Sequence, residues 1–341
     1  MQAAANTTIS TTVDTALMSL SPTFEEIPIV DIAPLLDGRD VAGVVQNIGQ
    51  VCEHVGFMYI CNHGVPQDLI DKMYCLSKTF FDLPLAQKKQ LDIRFSGSTL
   101  RGYIEPYAEN VNPGVTLDRK ECFDLGADSA NNGPFFGRNR YPDNVPEFQQ
   151  VYQEYHGHMM ALGRQLVKAI GLSLGLDEDY FSALQQAPIT IQRLLHYPPQ
   201  TGVISEQEIG AGAHTDYGFL TILAQDDKGG LQVKNRAGDW ISAPPIKGTF
   251  IVNIGDLVQT FTNDKYLSTM HRVINAGDQD RYSLPFFMDL DFDAVVQVVP
   301  TCCGLDNPAK YTAYTCGEHK FARFVSSFPH LSEAVAKQER V

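Results

Sequence analysis

The chain has 341 residues, enough for one large domain or two smaller ones with a hydrophobic core. Hydrophobic residues make up 44% and charged residues 19%, which is typical of a folded protein and excludes a largely disordered one. The 26 basic and 40 acidic residues give a formal charge of −14, which argues against nucleic acid and against an anionic membrane surface as partners.

The sequence carries no sign of membrane insertion or export. No apolar run reaches the roughly 18 residues that a membrane-spanning helix needs. The first 21 residues contain no Lys or Arg and no apolar core segment, unlike a secretory signal. Seven cysteines, an odd number in a chain of this size, do not suggest a disulfide framework. These features favour a cytoplasmic location.

The front half of the chain is predicted to be helix-rich. Residues 1–24 are rich in Ser, Thr and Ala and are predicted to form a mobile tail. Within residues 25–150, apolar periodicity predicts helices over 41–55 and 66–82. A buried strand followed by an Asn-His-Gly turn is predicted within 56–65.

The back half, residues 151–341, is predicted to be mainly β after a long helix over 146–175. From residue 189 onward, short β-type runs alternate with Gly, Asp, Asn and Pro. Regular spacing of short strands favours a sandwich or a barrel. We expect the helices of residues 25–150 to pack on the outside of this single β core. The runs are TIQRLLHY, GFLTILAQ, LQVKN, DWISA, TFIVNIG, LSTMHRVIN and YSLPFFMDL.

The strongest chemical signal is Ala213-His214-Thr215-Asp216. Because a strand alternates its faces with period two, His214 and Asp216 can project to the same side. Two imidazoles and one carboxylate form the ligand set of non-haem ferrous iron. The second histidine must come from another strand, and His271 in a strand-like run is the best candidate. The other histidines of the β region are His196, His319 and His330.

A second signal, Arg281-Tyr282-Ser283, follows His271 by ten residues. Alternation places Arg281 and Ser283 on one face of a strand, where a guanidinium fork beside a hydroxyl suits a carboxylate. Taken alone, H-x-D is explained by a surface histidine near a turn, and R-x-S by an exposed arginine of a hairpin. The order and spacing of the two motifs together are specific.

These residues resemble the 2-oxoglutarate- and iron(II)-dependent oxygenases, in the branch that includes isopenicillin N synthase and plant dioxygenases such as anthocyanidin synthase. The resemblance covers about residues 27–329. IPIVDIAPLL and GFMYICNHGVP resemble the N-terminal segment of that family. LLHYPP, HTDYGFLTIL, GGLQV, VNIGD, HRV and RYSLPFF resemble its core, and GEH and FP its end.

The resemblance implies a mainly β fold with flanking helices and a double-stranded β-helix, or jelly-roll, core. It implies iron binding by His214, Asp216 and His271. It also implies that the distal carboxylate of 2-oxoglutarate is bound by Arg281, Ser283 and Tyr197. One departure is Leu195, because the plant enzymes commonly carry Asn two residues before that tyrosine.

The implied activity is oxidation of a C–H bond of a small organic molecule with O2, in specialised metabolite biosynthesis, with release of succinate and CO2. Hydroxylation, desaturation and oxidative ring closure all remain open, and the oligomeric state is not predicted. Asp216 argues against halogenation, because halogenating relatives lack this carboxylate.

Substrate contacts are predicted from the resemblance and from side-chain type. Arg101 and Tyr103 occupy a segment that lines the substrate pocket in relatives. Arg101 would pair with a substrate carboxylate, and Tyr103 would stack or hydrogen-bond. Phe123, Phe219 and Phe287 are further lining candidates. A barrel mouth with few polar groups suits a small molecule.

The remaining histidines and cysteines are interpreted as structural. His54 and His63 lie outside the triad pattern, and His63 belongs to the predicted turn. His156 and His158 have helix spacing two, which does not face one metal. A zinc site is not predicted for the C-terminal group, which lacks a C-x₂-C pair. That group is Cys302, Cys303, Cys316 and His319.

Three alternative functions fit the same motifs. One is an oxidase like isopenicillin N synthase, which uses no 2-oxoglutarate and whose R-x-S holds the carboxylate of its substrate. Another is a non-catalytic binding module stabilised by a metal. The third is a zinc hydrolase that uses His214, Asp216 and His271.

Overall fold

The computed structural model describes residues 26–112, 114–129, 133–200, 208–275 and 278–328. The predicted tail 1–24 lies outside these residues. In the described part of the chain, no helix is both long and apolar enough to cross a membrane.

The strands follow the β-type runs of the sequence closely, because alternating or continuous apolar residues bury at least one face of each strand. In chain order they are β1 (Ile29–Asp31), β2 (Phe57–Cys61), β3 (Gly102–Ile104), β4 (Leu117–Asp118), β5 (Glu121–Leu125), β6 (Thr190–Tyr197), β7 (Glu208–Ile209), β8 (Ala211–His214), β9 (Leu220–Gln225), β10 (Leu231–Lys234), β11 (Trp240–Ser242), β12 (Thr249–Ile254), β13 (His271–Val273), β14 (Arg281–Met288), β15 (Val295–Val296) and β16 (Tyr314–Thr315).

Helices flank the strands and carry the end signals expected from their sequences. Asp40 caps the second helix by accepting a hydrogen bond from the Gly43 amide, and Thr315 Oγ1 caps the last by accepting one from the Glu318 amide. The α-helices are α1 (Ala33–Leu36), α2 (Val41–His54), α3 (Gln67–Phe81), α4 (Leu85–Lys88), α5 (Phe148–Ser173), α6 (Asp256–Phe261) and α7 (Cys316–Ser327). Short 3₁₀ helices cover Lys89–Leu91, Ile93–Phe95, Gly97–Thr99, Ser182–Leu184 and Pro300–Cys302.

Two sheets form the core. The larger has the order β1-β2-β12-β9-β14-β6-β5-β3, in which β1 and β2 are parallel and the other neighbours antiparallel. The smaller has the antiparallel order β11-β10-β13-β8. Side chains from both sheets line one cavity, and α5 packs against the outer face of the larger sheet, where His156 meets Phe286. The predicted jelly-roll core with flanking helices is confirmed.

The front half of the chain supplies strands as well as helices. β1, β2, β3 and β5 all belong to the larger sheet, so residues 25–150 are part of the same core. The helix Phe148–Ser173 spans the predicted boundary between residues 150 and 151. Two further short sheets pair β4 with β7 in parallel and β15 with β16 antiparallel.

Candidate functional site

The smaller sheet brings His214, Asp216 and His271 together. His214 ends β8 and His271 begins β13, and the two residues are directly paired across the strands. One ligand atom of each of the three residues lies within 4.8 Å of the others. Asp216 Oδ1 is 3.9 Å from His214 Nε2 and 3.8 Å from His271 Nε2. Asp216 follows the end of β8, so the turn after the strand positions it, not the continuous strand expected from the sequence.

Hydrogen bonds orient all three groups. His214 Nδ1 lies 2.7 Å from the Gly212 carbonyl oxygen and His271 Nδ1 lies 3.2 Å from the Thr269 carbonyl oxygen. A carbonyl only accepts, so each Nδ1 carries the proton and each Nε2 keeps its lone pair. Asp216 Oδ2 accepts hydrogen bonds from Thr221 Oγ1 (2.5 Å) and Asn253 Nδ2 (2.7 Å). Oδ1 is left facing the two imidazoles.

Burial sets the charge states of this group. Burial, followed by the neighbouring His271, lowers the pKa of His214 to about 4, so its imidazole is neutral at pH 7. Burial opposes ionisation of Asp216, but the two histidines and the hydrogen bonds from Asn253 and Thr221 outweigh it, and the pKa of Asp216 is lowered. With His214 neutral and Asp216 ionised, the group is ready to hold a divalent metal ion.

A buried arginine occupies the same cavity. Arg281, at the start of β14, is 0% exposed, and its Nε donates to the Gly229 carbonyl oxygen. Its guanidinium carbon lies 4.7 Å from the centre of the Tyr197 ring. Nη1 and Nη2 are buried and have no hydrogen-bond partner among the described residues. An unpaired buried guanidinium is costly, and its fork suits the two oxygens of a carboxylate.

The backbone beside Arg281 requires glycine. Gly230 has φ +94°, and a Cβ there would lie 2.3 Å from the Ile274 carbonyl oxygen. This close approach pairs β10 with the end of β13 and places the Gly229 carbonyl against Arg281. The GGLQV motif is thus explained by the geometry of the guanidinium site.

Ser283 and Tyr197 lie where the alternation of the strands predicts. Arg281 and Ser283 share the cavity face of β14, and Arg281 is paired with Tyr197 of β6. Ser283 is paired with Leu195, the position of the departure from the plant pattern. Leu195 lines the cavity with an apolar side chain. All six residues expected to hold iron and cosubstrate therefore line one cavity.

The predicted substrate residues are mostly elsewhere. Arg101 is 5% exposed, and its guanidinium donates to the carbonyl oxygens of Phe135 and Gly137, so it ties a loop in place. Tyr103 donates to Glu121 Oε2 at 2.6 Å in the core. Neither is among the described residues that line the cavity.

Of the three predicted phenylalanines, two lie outside the described lining of the cavity and one belongs to it. Phe123 stacks on Phe80 at 4.1 Å between α3 and the larger sheet. Phe219 packs against Phe181 at 4.9 Å. Only Phe287 lines the cavity, because its β14 position has the same parity as Arg281 and Ser283. Apolar type alone does not distinguish core from cavity.

The other histidines fit structural roles. His63 stacks on Phe250 at 4.2 Å, and its Nδ1 accepts a hydrogen bond from the Val65 amide. His156 lies 3.1 Å from Thr190 Oγ1 beneath the larger sheet. Among the described residues, His214, Asp216 and His271 form the one group of three or more metal-ligating side chains.

Sequence reasoning missed several cavity residues. Thr221 and Asn253, which orient Asp216, could have been found from period-two alternation on β9 and β12. Phe57, whose ring contacts the His271 ring edge-on at 5.2 Å, comes from the front half of the chain. Lys120 and Arg193 carry no motif that marks them.

Comparisons with known proteins agree with this geometry. Residues 27–147 match the family model described as the N-terminal region of non-haem dioxygenase in morphine synthesis, and residues 188–290 match the 2OG-Fe(II) oxygenase superfamily. The chain is 34% identical over 302 residues to the 2-oxoglutarate-Fe(II) type oxidoreductase hxnY of Emericella nidulans, covering 84% of this chain and 86% of that protein. It is 37% identical over 298 residues to homoarginine-6-hydroxylase 2-ODD-C23.1 of Arabidopsis thaliana, covering 82% and 89%.

Solved structures show the same fold. Full-length T7H of Neurospora crassa in complex with alpha-KG and thymine has a TM-score of 0.79 and 28% identity, covering 90% of this chain and 100% of that one. JOX2 in complex with 2OG, Fe and JA has a TM-score of 0.74 and 27% identity, covering 92% and 95%.

Proposed function

Since the chain belongs to the 2OG-Fe(II) oxygenase superfamily and is a 2-oxoglutarate- and Fe(II)-dependent dioxygenase, we propose that it oxidises an unactivated C–H bond of a small organic molecule in specialised metabolite biosynthesis. Hydroxylation, desaturation and oxidative ring closure are all reactions of this kind. The relatives named as hydroxylases and the neighbours with bound small molecules support a small-molecule substrate.

His214, Asp216 and His271 are proposed to hold the iron. The observation that carries the proposal is that their three ligand atoms converge in one cavity with the unpaired guanidinium of Arg281. The facing Nε2 atoms and the free Asp216 Oδ1 fit a divalent ion.

Arg281, Ser283 and Tyr197 are proposed to orient 2-oxoglutarate. The two unpaired Nη groups would take its distal carboxylate, and Ser283 would add a hydroxyl from the same strand face. Bound together, Fe(II) and 2-oxoglutarate supply the activation of O2 that oxidises a C–H bond while 2-oxoglutarate becomes succinate and CO2.

The role of the protein is orientation and exclusion of water. Thr221 and Asn253 keep one Asp216 oxygen engaged, so that the other keeps a fixed direction. Phe57 packs on the ring of His271 and shields it. Arg281 and Ser283 are almost completely buried, which strengthens their interaction with an anion.

The alternative of an oxidase without 2-oxoglutarate is not favoured. The relatives are named for 2-oxoglutarate, and T7H and JOX2 are in complex with it. The competing functions predict different cosubstrate behaviour, which one titration separates.

The test is anaerobic titration of the metal-free protein with Fe(II) and then with 2-oxoglutarate. We expect the weak visible charge-transfer band of a 2-oxo acid chelated to iron, and we expect His271→Ala to abolish it. Iron binding without a band would favour the oxidase. A band of full strength in His271→Ala would contradict the ligand assignment.

A further inference from the structure

Two buried cations, Lys120 and Arg193, line the cavity along with the iron and cosubstrate residues. Lys120 follows β4, in the front half of the chain, and Arg193 lies on β6. The exposed fractions of these side chains are only 3% and 9%. No motif, and no role proposed above, accounts for them.

Arg193 is held by two carboxylates. Its Nε and Nη2 donate to the two oxygens of Asp124 at 2.7 Å each, and its Nη1 donates to Glu109 Oε2 at 2.8 Å. A guanidinium has five N–H groups, so one N–H on each Nη has no acceptor among the described residues.

Lys120 is held in a similar way. Its Nζ donates to Asp118 Oδ2 at 2.6 Å and lies 3.4 Å from Glu109 Oε2. Asp118 Oδ1 in turn accepts from the Gly212 amide at 2.9 Å. A Cβ at Gly212 would lie 2.1 Å from Thr116 Oγ1, so glycine permits this close approach to β8. Through Asp118, the Lys120 ammonium is therefore linked to Gly212, the residue whose carbonyl oxygen anchors His214 Nδ1.

The arrangement is directional. Lys120 and Arg193 line the cavity, whereas Glu109, Asp118 and Asp124 are not among its described lining residues. The only carboxylate on that described lining is Asp216, which the iron site uses. Lys120 and Arg193 thus present hydrogen-bond donors to a substrate, whereas the carboxylates that pair with them lie outside the described lining of the cavity.

The charge and the hydrogen-bond donors of this cluster together select against ionic substrates. Three carboxylates and two cations leave one net negative charge in a buried place, so a further carboxylate would be repelled. A cationic group would meet N–H donors and no free acceptor. An uncharged oxygen acceptor satisfies the remaining N–H groups without adding charge.

We infer that the substrate is an uncharged molecule that presents a carbonyl-type oxygen, as in an amide, lactam, imide or ketone, to Lys120 and Arg193. The inference rests on the proposed function and names the substrate class of the same cavity. Phe57, Val111 and Phe287 supply the apolar surface for the rest of the molecule.

Three compounds bound or used by relatives represent the three charge classes. Thymine, present in a T7H complex, is an uncharged imide; homoarginine is cationic; JA (jasmonate) carries a carboxylate. Each would be added, with uracil and glutarimide as further uncharged members, to the anaerobic Fe(II)·2-oxoglutarate protein. Binding is read from the shift of the charge-transfer band.

We expect at least one uncharged member to shift the band and the cationic and carboxylate members not to do so. Lys120→Met and Arg193→Lys should each weaken that binding roughly tenfold or more, since the first removes a charged donor from the cavity and the second loses the fixed fork of the guanidinium. Lys88→Met is the matched control. Lys88 is also buried and paired with a carboxylate, Glu121 at 2.7 Å, but it lies outside the described cavity lining.

Several outcomes would overturn the inference. One is a tightest ligand that carries a net charge, and another is a panel without discrimination, including one in which nothing binds. A third is an equal loss of binding in Lys88→Met, which would assign Lys120 a purely structural role. Loss of the band before any compound is added would instead refute the proposed function.

Discussion

Two buried arginines face the same cavity from neighbouring strands, and they are paired very differently. Arg281 on β14 has no partner for either Nη among the described residues. Arg193 on β6 donates three hydrogen bonds to Asp124 and Glu109. Both are cationic, and both line the cavity.

The difference shows how one residue type serves two kinds of recognition. An unpaired buried cation is stabilised by an anion, so the Arg281 end of the cavity suits the carboxylate of 2-oxoglutarate. A cation already neutralised by carboxylates acts as a rigid donor, so the Arg193 end suits an uncharged acceptor. Side-chain partners, and not residue type, determine the ligand.

The largest effect on activity is expected from removing a proposed iron ligand, because oxidation of the substrate and conversion of 2-oxoglutarate both need the iron. Asp216→Ala removes the only carboxylate ligand of the proposed triad and should abolish oxidation and succinate formation. Thr221→Val is the matched control, because it removes one hydrogen bond to the same carboxylate but leaves the ligand. Iron content and succinate release would be measured for both. Native turnover in Asp216→Ala would refute the triad.

The next effect separates the two arginines. Arg281→Leu should raise the 2-oxoglutarate concentration needed for half-saturation by roughly 30-fold or more, the equivalent of about 2 kcal/mol, since a buried charged pair is lost. Arg193→Lys should leave that requirement unchanged. If the 2-oxoglutarate requirement changed equally in the two variants, the assignment of Arg281 and Arg193 to different ligands would be wrong.

The same variant sharpens the comparison through stability. Without ligand, Arg281→Leu should unfold at a higher temperature than the native protein, because an uncompensated buried charge has been removed. Saturating 2-oxoglutarate should stabilise the iron-loaded native protein by about 2.7 kcal/mol at 100 times its dissociation constant, and the variant much less. If the ligand-free variant were less stable than the ligand-free native protein, the charge of Arg281 would already be compensated within the native protein.

The smallest effect on activity is expected at the outer face of the larger sheet, away from the proposed iron ligands and from both arginines. Burial, then the charge of Arg101, lowers the pKa of His156 to about 4. Between about pH 6.5 and 4 the unfolded chain binds a proton that the folded chain refuses, so the free energy of unfolding falls as the pH falls. At about 1.4 kcal/mol per pH unit the loss is at most about 3 kcal/mol.

His156→Gln should remove much of this loss, because glutamine does not titrate and can still meet Thr190 Oγ1. Denaturant unfolding at pH 7 and pH 4.5 measures it. His158→Gln, on the same helix, is the matched control. The assignment to burial would be wrong if both variants changed the pH dependence equally.

Local patterns in the sequence predicted most of the helices and strands of the fold. The helix predicted over 41–55 is Val41–His54, and the run TIQRLLHY is β6 in full. Such elements depend on contacts between near neighbours in sequence, which periodicity reports. Within the front half, the strand β3 was not singled out, because it has only three residues and little pattern.

The proposed iron and cosubstrate residues were also within reach of the sequence. The H-x-D and R-x-S motifs each place two of these groups two positions apart. Strand alternation gives Arg281 and Ser283 a common face on β14, whereas the turn after β8 positions Asp216 beside His214. Arg101 shows the limit of this reasoning. Its segment was predicted to line the substrate pocket, but its guanidinium turns to the carbonyls of Phe135 and Gly137, more than thirty residues along the chain.

The sequence alone therefore determined the β core and singled out the three proposed metal ligands and Arg281, because strand patterns and short motifs are local in the sequence. Only the tertiary structure decided which side chains face a substrate in the cavity. Arg193 acquires its partners from residues 69 and 84 positions away, Asp124 and Glu109. No local pattern records such pairing, since it depends on how the front half of the chain packs over the sheet.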